Sequence, residues 1–179
     1  KLMTVYMVFQ RLKEGRLSLD DKFQVSAKAW RKGGSKMFVM VNTRVAVRDL
    51  LRGIIVQSGN DSCIVVAEGL AGSEEAFAEE MTRRGKEIGL TNSSFKNATG
   101  WPAEGHYMSA RDIAFLSAKI IREFPEYYGI FSEKSFAYGG ISQANRNPLL
   151  YKGFGADGLK TGHTEASGYG LASSVIRNG

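Results

Sequence analysis

Apolar residues recur at three- and four-residue steps from the start of the chain, with Leu2, Val5, Tyr6, Phe9 and Leu12 on one face. That period predicts a helix over residues 2–14 packed against a core, and Gly15 supplies a stop. Leu50, Leu51, Ile54 and Ile55 mark an apolar helix over residues 45–56. After Ser58-Gly59-Asn60, Asp61 can cap a second one running through Cys63, Val65, Val66 and Leu70. Ser73 with Glu74 and Glu75 opens an amphipathic helix to about Ile88, its acids suited to the positive end of the helix dipole. Ser109 and Asp112 form a capping-box pattern ahead of Ile113, Leu116, Ile120 and Ile121, and Pro125 ends that helix.

Extended segments are shorter. Phe23 and Val25 alternate within residues 17–26, residues 30–36 with Gly33-Gly34 read as a loop, and residues 38–41 as extended chain. Residues 91–105 are loop-rich. Residues 135–142 read as a strand bent at Gly139-Gly140, and residues 159–162 pair with 168–176 as a hairpin. Helices in the middle with strands gathered late predict an α+β fold rather than a parallel doubly wound one. No repeat or linker divides residues 1–179, so one domain is expected. The first helix starts without a Ser, Thr, Asp or Asn cap for its four orphan amides. At the other end, Arg177-Asn178-Gly179 is a hairpin-turn signal with no strand to follow. The expectation is an incomplete domain, truncated at both ends.

Composition narrows the classes. With 43% hydrophobic and 11% aromatic residues, disorder is excluded, and no apolar run reaches the roughly 18 residues of a membrane span. A single cysteine, Cys63, excludes an internal disulfide and a multi-cysteine metal site. With only His106 and His163 beside it, neither metal nor cofactor is expected, and Cys63 is assigned to the core and His106 to a solvated loop. The net charge of +6 is scattered. Its densest cluster, Arg83, Arg84 and Lys86, lies among Glu79, Glu80 and Glu87, a solvated helix face rather than a nucleic-acid patch. The charge is compatible with a polyanionic surface such as a bacterial envelope.

Three short stretches carry candidate chemistry. Lys160-Thr161-Gly162 places a cation, a hydroxyl and a bare backbone at the rim of a strand, where substrate can lie close. Ser58-Gly59-Asn60 wedges polar groups between two apolar helices, which serves either as a cap or as a site. Lys1, if its helix continues upstream, shares a face with the residue three positions before it. Each stretch taken singly also reads as an ordinary turn, strand or surface lysine.

Taken in order, Lys1-Leu2-Met3-Thr4, Ser58-Gly59-Asn60 and Lys160-Thr161-Gly162-His163-Thr164 resemble the penicillin-binding proteins, and more narrowly the low-molecular-mass serine-type D-alanyl-D-alanine carboxypeptidases. That family carries Ser-x-x-Lys, Ser-x-Asn and Lys-Thr-Gly in this order, a set related to that of the β-lactamases. Gln57–Asp61, Asn97–Gly100, Ser109–Asp112 and Asp157–Gly162 share the likeness, which covers nearly the whole chain. The resemblance implies a β-lactamase/transpeptidase-like domain, an antiparallel sheet with a cluster of helices. It implies acyl transfer from peptidoglycan stem peptides ending in D-Ala-D-Ala, and binding of β-lactam antibiotics. It places the protein in the periplasm or on the outer face of the bacterial cytoplasmic membrane, with peripheral attachment through a segment outside this chain. The nucleophilic serine would precede Lys1. Lys1 would be its base, and Ser58 and Asn60 would relay protons and position substrate. Lys160 and Thr161 would hold the terminal carboxylate beside Gly162, and the backbone amide of His163 would serve the oxyanion. A serine β-lactamase and a non-catalytic peptidoglycan-binding fragment are the alternatives. Against the lactamase, Gly59 stands where its class A motif has Asp.

Overall fold

Helix α1 (Leu2–Lys13) is buried on every side from Leu2 to Phe9, where the sequence pattern predicts a single apolar stripe. A helix apolar all round belongs at the centre of a structure, and the remaining elements wrap it. The computed structural model describes residues 1–177, so the turn signal at Arg177-Asn178-Gly179 runs outside the described residues.

Strand β1 (Lys22–Gln24) lies within the predicted extended segment, and α2 (Ala27–Arg31) follows it, taking the first two residues of the predicted loop. Ser26 starts this short helix, its Oγ accepting the Ala29 N–H at 3.0 Å. Strand β2 (Arg44–Ala46) pairs antiparallel with β1 and takes the residues predicted as the first turn of α3 (Val47–Ile55). Residues 38–41 form no strand. Helix α4 (Asn60–Ala71) is, like α1, buried continuously from Asn60 to Ala67, with Cys63 inside the core. Its cap position is Gly59 rather than Asp61, because the Asp61 carboxylate is engaged elsewhere. Helix α5 (Glu74–Ile88) starts at Ser73 as predicted, its Oγ accepting the Ala76 N–H.

A two-residue ladder joins β3 (Ser93–Ser94) to β4 (Tyr107–Met108) within the predicted loop. Ser109 then caps α6 (Ala110–Glu123). Pro125 both ends that helix and begins the next, α7 (Pro125–Tyr128), since proline suits a first helical turn. The segment 135–142 is two strands, β5 (Ser135–Tyr138) and β6 (Ile141–Ala144), folded about Gly139 and Gly140, both at positive φ. The longest ladder pairs β7 (Ala156–Thr164) with β8 (Gly168–Val175), from Ala156 opposite Val175 to Thr164 opposite Gly168. The predicted antiparallel pairing thus appears, among the described residues, as four two-stranded ladders around a helical centre. An aromatic cluster locks α1 to the α6–α7 region, with Tyr6 5.2 Å edge-on to Phe124 and Phe9 perpendicular to Phe131.

The two buried helices start at one place. Lys1 stands just before α1 and Asn60 is the first residue of α4, so the two chain entries meet beside β7.

Candidate active site

The Lys1 ammonium donates to Asn60 Oδ1 at 2.7 Å and to the Thr99 carbonyl at 2.8 Å. Thr99 is presented by a loop that Asn97 folds, its Oδ1 accepting from the Thr99 N–H, the Thr99 hydroxyl and the Gly100 N–H. One helical turn along, the Thr4 hydroxyl pins the same loop by donating to the Ala98 carbonyl at 2.7 Å. Asn60 is itself held on its other side. Its Nδ2 donates to the Gly33 carbonyl at 2.9 Å and its backbone N–H to that of Ser35 at 2.8 Å.

Two residues before Asn60, Ser58 has φ of 58°, a left-handed conformation that L-residues other than Gly, Asn and Asp seldom adopt. Its Oγ accepts from Lys160 Nζ at 3.0 Å, and the same ammonium donates to the Thr161 carbonyl at 2.8 Å. Two hydrogen-bonded sets, Lys1 with Asn60 and Lys160 with Ser58 and the Thr161 carbonyl, are therefore brought together by the single turn 58–60. Gly162 pairs with Gly170 across the ladder, and a Cβ added at Gly162 would meet nothing within 4 Å. That leaves a bare strand surface beside the two lysines. His163 is exposed, its ring 4.2 Å from that of Tyr169. His106, predicted to be solvated, is instead half-buried. Its Nδ1 accepts the Lys96 N–H at 2.9 Å, and burial pushes its pKa down to about 4, so it is a neutral structural group.

Two buried amines in one cleft cannot both hold protons easily. Burial lowers the Lys1 pKa; Arg146 and Lys32 push the same way, and the Cys63 thiol opposes them. Burial first, and the charge of Lys1 second, bring Lys160 down to about 7. Burial thus makes both amines readier to give up a proton than a surface lysine. Among the described residues, no group of three His, Cys, Asp or Glu side chains could hold a metal ion.

Several residues support the site through contacts that their place in the sequence does not show. Asp61 Oδ1 accepts the N–H groups of Met37 and Ser62 at 2.9 Å, and Oδ2 those of Phe38 at 2.9 Å and Val39 at 3.2 Å. It straps the loop around Phe38, itself at positive φ, to the start of α4. Gln57 Nε2 donates to the Phe136 carbonyl, tying the Ser58 turn to β5. The Gly158 carbonyl accepts from Asn147 Nδ2 and Ser173 Oγ, both at 2.8 Å, fixing β7 two residues before Lys160. Replacing Asp61 with alanine orphans three loop amides. Each buried orphan costs about 1–3 kcal/mol and water recovers part of it, so a loss of about 3 kcal/mol in denaturant-induced unfolding is expected.

A helical centre whose entries bring a lysine, a left-handed serine and an asparagine against a Lys-Thr-Gly strand is the arrangement of penicillin-binding proteins. The structure superposes on penicillin-binding protein 5 from Haemophilus influenzae with a TM-score of 0.95 at 42% identity, over 99% of this chain and 53% of that one. It likewise matches penicillin-binding protein D2 from Listeria monocytogenes, solved in its ampicillin-bound form, with a TM-score of 0.86 at 28% identity, over 99% and 73% of the two chains. Among curated proteins, D-alanyl-D-alanine carboxypeptidase DacA of Haemophilus influenzae is 44% identical over 98% of this chain and 46% of its own length. The family model for D-alanyl-D-alanine carboxypeptidase matches residues 1–179, and the chain belongs to that family. It spans about half the length of the curated relatives it matches.

Proposed function

We propose that the protein carrying this chain is a serine-type D-alanyl-D-alanine carboxypeptidase that removes the last D-alanine of peptidoglycan stem peptides through an acyl-enzyme. The observation that carries this reading is the placing of two depressed lysines on either side of one turn, Lys1 on Asn60 and Lys160 on Ser58. The family's Ser-x-x-Lys motif puts the nucleophilic serine three residues before Lys1. At that spacing its hydroxyl sits on the same helical face as the amine. Neutral Lys1 takes the hydroxyl proton as the serine oxygen attacks the penultimate carbonyl. The oxyanion is received by the backbone amides of that serine and of His163. Collapse breaks the peptide bond, and the departing D-alanine amine takes a proton through Lys1 and the Ser58–Lys160 pair. Water then cleaves the ester and frees the shortened peptide. Lys160 and Thr161 hold the terminal carboxylate, which selects chain ends, and Gly162 leaves room for the substrate backbone. In a β-lactam the amine expelled by ring opening stays tethered to the acyl group instead of diffusing away as D-alanine does, so the drug is a slow-releasing substrate of the same site.

Such a substrate places the enzyme in the periplasm or on the outer face of the cytoplasmic membrane, with any peripheral attachment supplied by a segment outside this chain. No helix of the described residues is long and apolar enough to cross a membrane. Intact-mass measurement of the full-length protein with a penicillin tests the reading. One drug bound per molecule and persisting, together with D-alanine release from a D-Ala-D-Ala peptide, is the expected result. An adduct that vanishes within seconds indicates a β-lactamase, and no adduct indicates a non-catalytic binder.

A further inference from the structure

The cleft is more cationic than binding one terminal carboxylate requires. Besides Lys1 and Lys160, Arg146 and Lys32 lie close enough to disfavour the charged form of Lys1, and Arg146 acts on Lys160 as well. Neither Lys32 nor Arg146 has an ion pair among the described residues. The nearby Asp61 carboxylate is already taken by four backbone amides. The positive charge is therefore left for something that binds there.

Lys32 is placed by an aromatic seat. It follows the last turn of α2, and its ammonium lies 4.2 Å from the centroid of the Trp101 ring. Trp101 itself follows the loop whose Thr99 carbonyl holds Lys1, and it is 44% exposed. Trp101 neighbours the start of α4 through Gly34. A Cβ added at Gly34, at φ of 77°, would stand 2.7 Å from Asn60 Nδ2 and 2.9 Å from Trp101 Cζ3, so the amide and the ring edge close on one glycine. A flexible lysine pays side-chain entropy when it grips a ligand, and the ring reduces that cost by holding the ammonium beforehand.

We propose that Lys32, seated on Trp101, forms an anion subsite that binds a second carboxylate of the stem peptide, on the amino-terminal side of the D-alanyl-D-alanine. The direction follows from the layout. Lys160 takes the terminal carboxylate on the Ser58 side of the turn, and a chain that passes Lys1 leaves on the Asn60 side, where Gly34, Trp101 and Lys32 lie. This subsite rests on the carboxypeptidase reading and adds a preference for an acidic acyl donor.

The test compares two peptides of sequence γ-D-glutamyl-L-lysyl-D-alanyl-D-alanine, one with a free α-carboxylate on the glutamyl residue and one with that group amidated, at low ionic strength with full-length enzyme. The expected wild-type kcat/KM favours the acid peptide about tenfold, the scale of a partly exposed charge-assisted contact. Lys32→Gln brings the ratio to about one, and Lys32→Glu inverts it. Trp101→Ala lowers the ratio, while Trp101→Phe, which keeps a ring under the ammonium, restores most of it. Stoichiometric acylation by a penicillin confirms that each variant is folded. A wild-type ratio near one, or an unchanged ratio in both Lys32 variants, overturns the subsite while leaving the activity in place. A wild-type enzyme that cleaves neither peptide overturns the carboxypeptidase reading itself.

Discussion

Lys1→Gln in the full-length protein slows acylation by a fluorescent penicillin about 10³-fold at pH 7, and raising the pH does not restore it. Glutamine retains an N–H donor for Asn60 and Thr99, the two groups that Lys1 binds at 2.7 and 2.8 Å, so the turn stays assembled. What it lacks is a lone pair able to accept the serine proton. Positioned general bases contribute about 10²–10⁴ in rate. An ordinary lysine, with a pKa of about 10.4, would be almost wholly protonated at pH 7. Burial lowers the pKa of Lys1 from that value, which favours the free amine. Stopped-flow acylation measures the effect directly. A loss of only a few-fold would move the role of base from Lys1 to another group.

The second large effect is at Lys160. Its pKa of about 7 means that, in the free protein, the ammonium gives up its proton as pH rises through neutrality. Above that point the protonated fraction falls up to tenfold per pH unit, and the grip on a terminal carboxylate falls with it. KM for a peptide ending in free D-alanine therefore rises between pH 7 and 9, and KM for the same peptide amidated at its end does not. Lys160→Arg keeps the charge at every pH in that range and flattens the rise. Lys160→Gln lowers kcat/KM about 100-fold at pH 7, because it removes the charge and weakens the contact with Ser58. Steady-state kinetics on the paired peptides separates these outcomes.

The long helices are legible because burial writes itself into the spacing of Leu, Ile and Val, and because Ser73 and Ser109 announce the helix starts by local bonds. Ladders of two or three residues, such as β3 with β4, are too short to show an alternating period. Helix α2 was hidden for the same reason, five residues being barely more than one turn. At the site, the ordered motifs point to Lys1, Ser58, Asn60 and Lys160, and the structure pairs Lys1 with Asn60 and Lys160 with Ser58 on one turn. Their supports are silent in the sequence because they act across it. Asp61 has the look of a helix cap, yet it spends its oxygens on amides 22 to 24 residues away. Thr99 acts through its carbonyl, which every residue possesses. Lys32 and Trp101 become partners only once two loops meet at Gly34.

Ser58 carries its hydroxyl on a backbone twisted to positive φ. Glycine adopts that twist freely, whereas a side-chain-bearing residue held there costs on the order of 1 kcal/mol. Folding and the proton relay proposed for Ser58 thus pull position 58 in opposite directions. A directed-evolution screen scored on heat resistance alone meets an easy gain at the very oxygen that Lys160 binds. Thermostable descendants of this protein should therefore be selected on turnover in the same round.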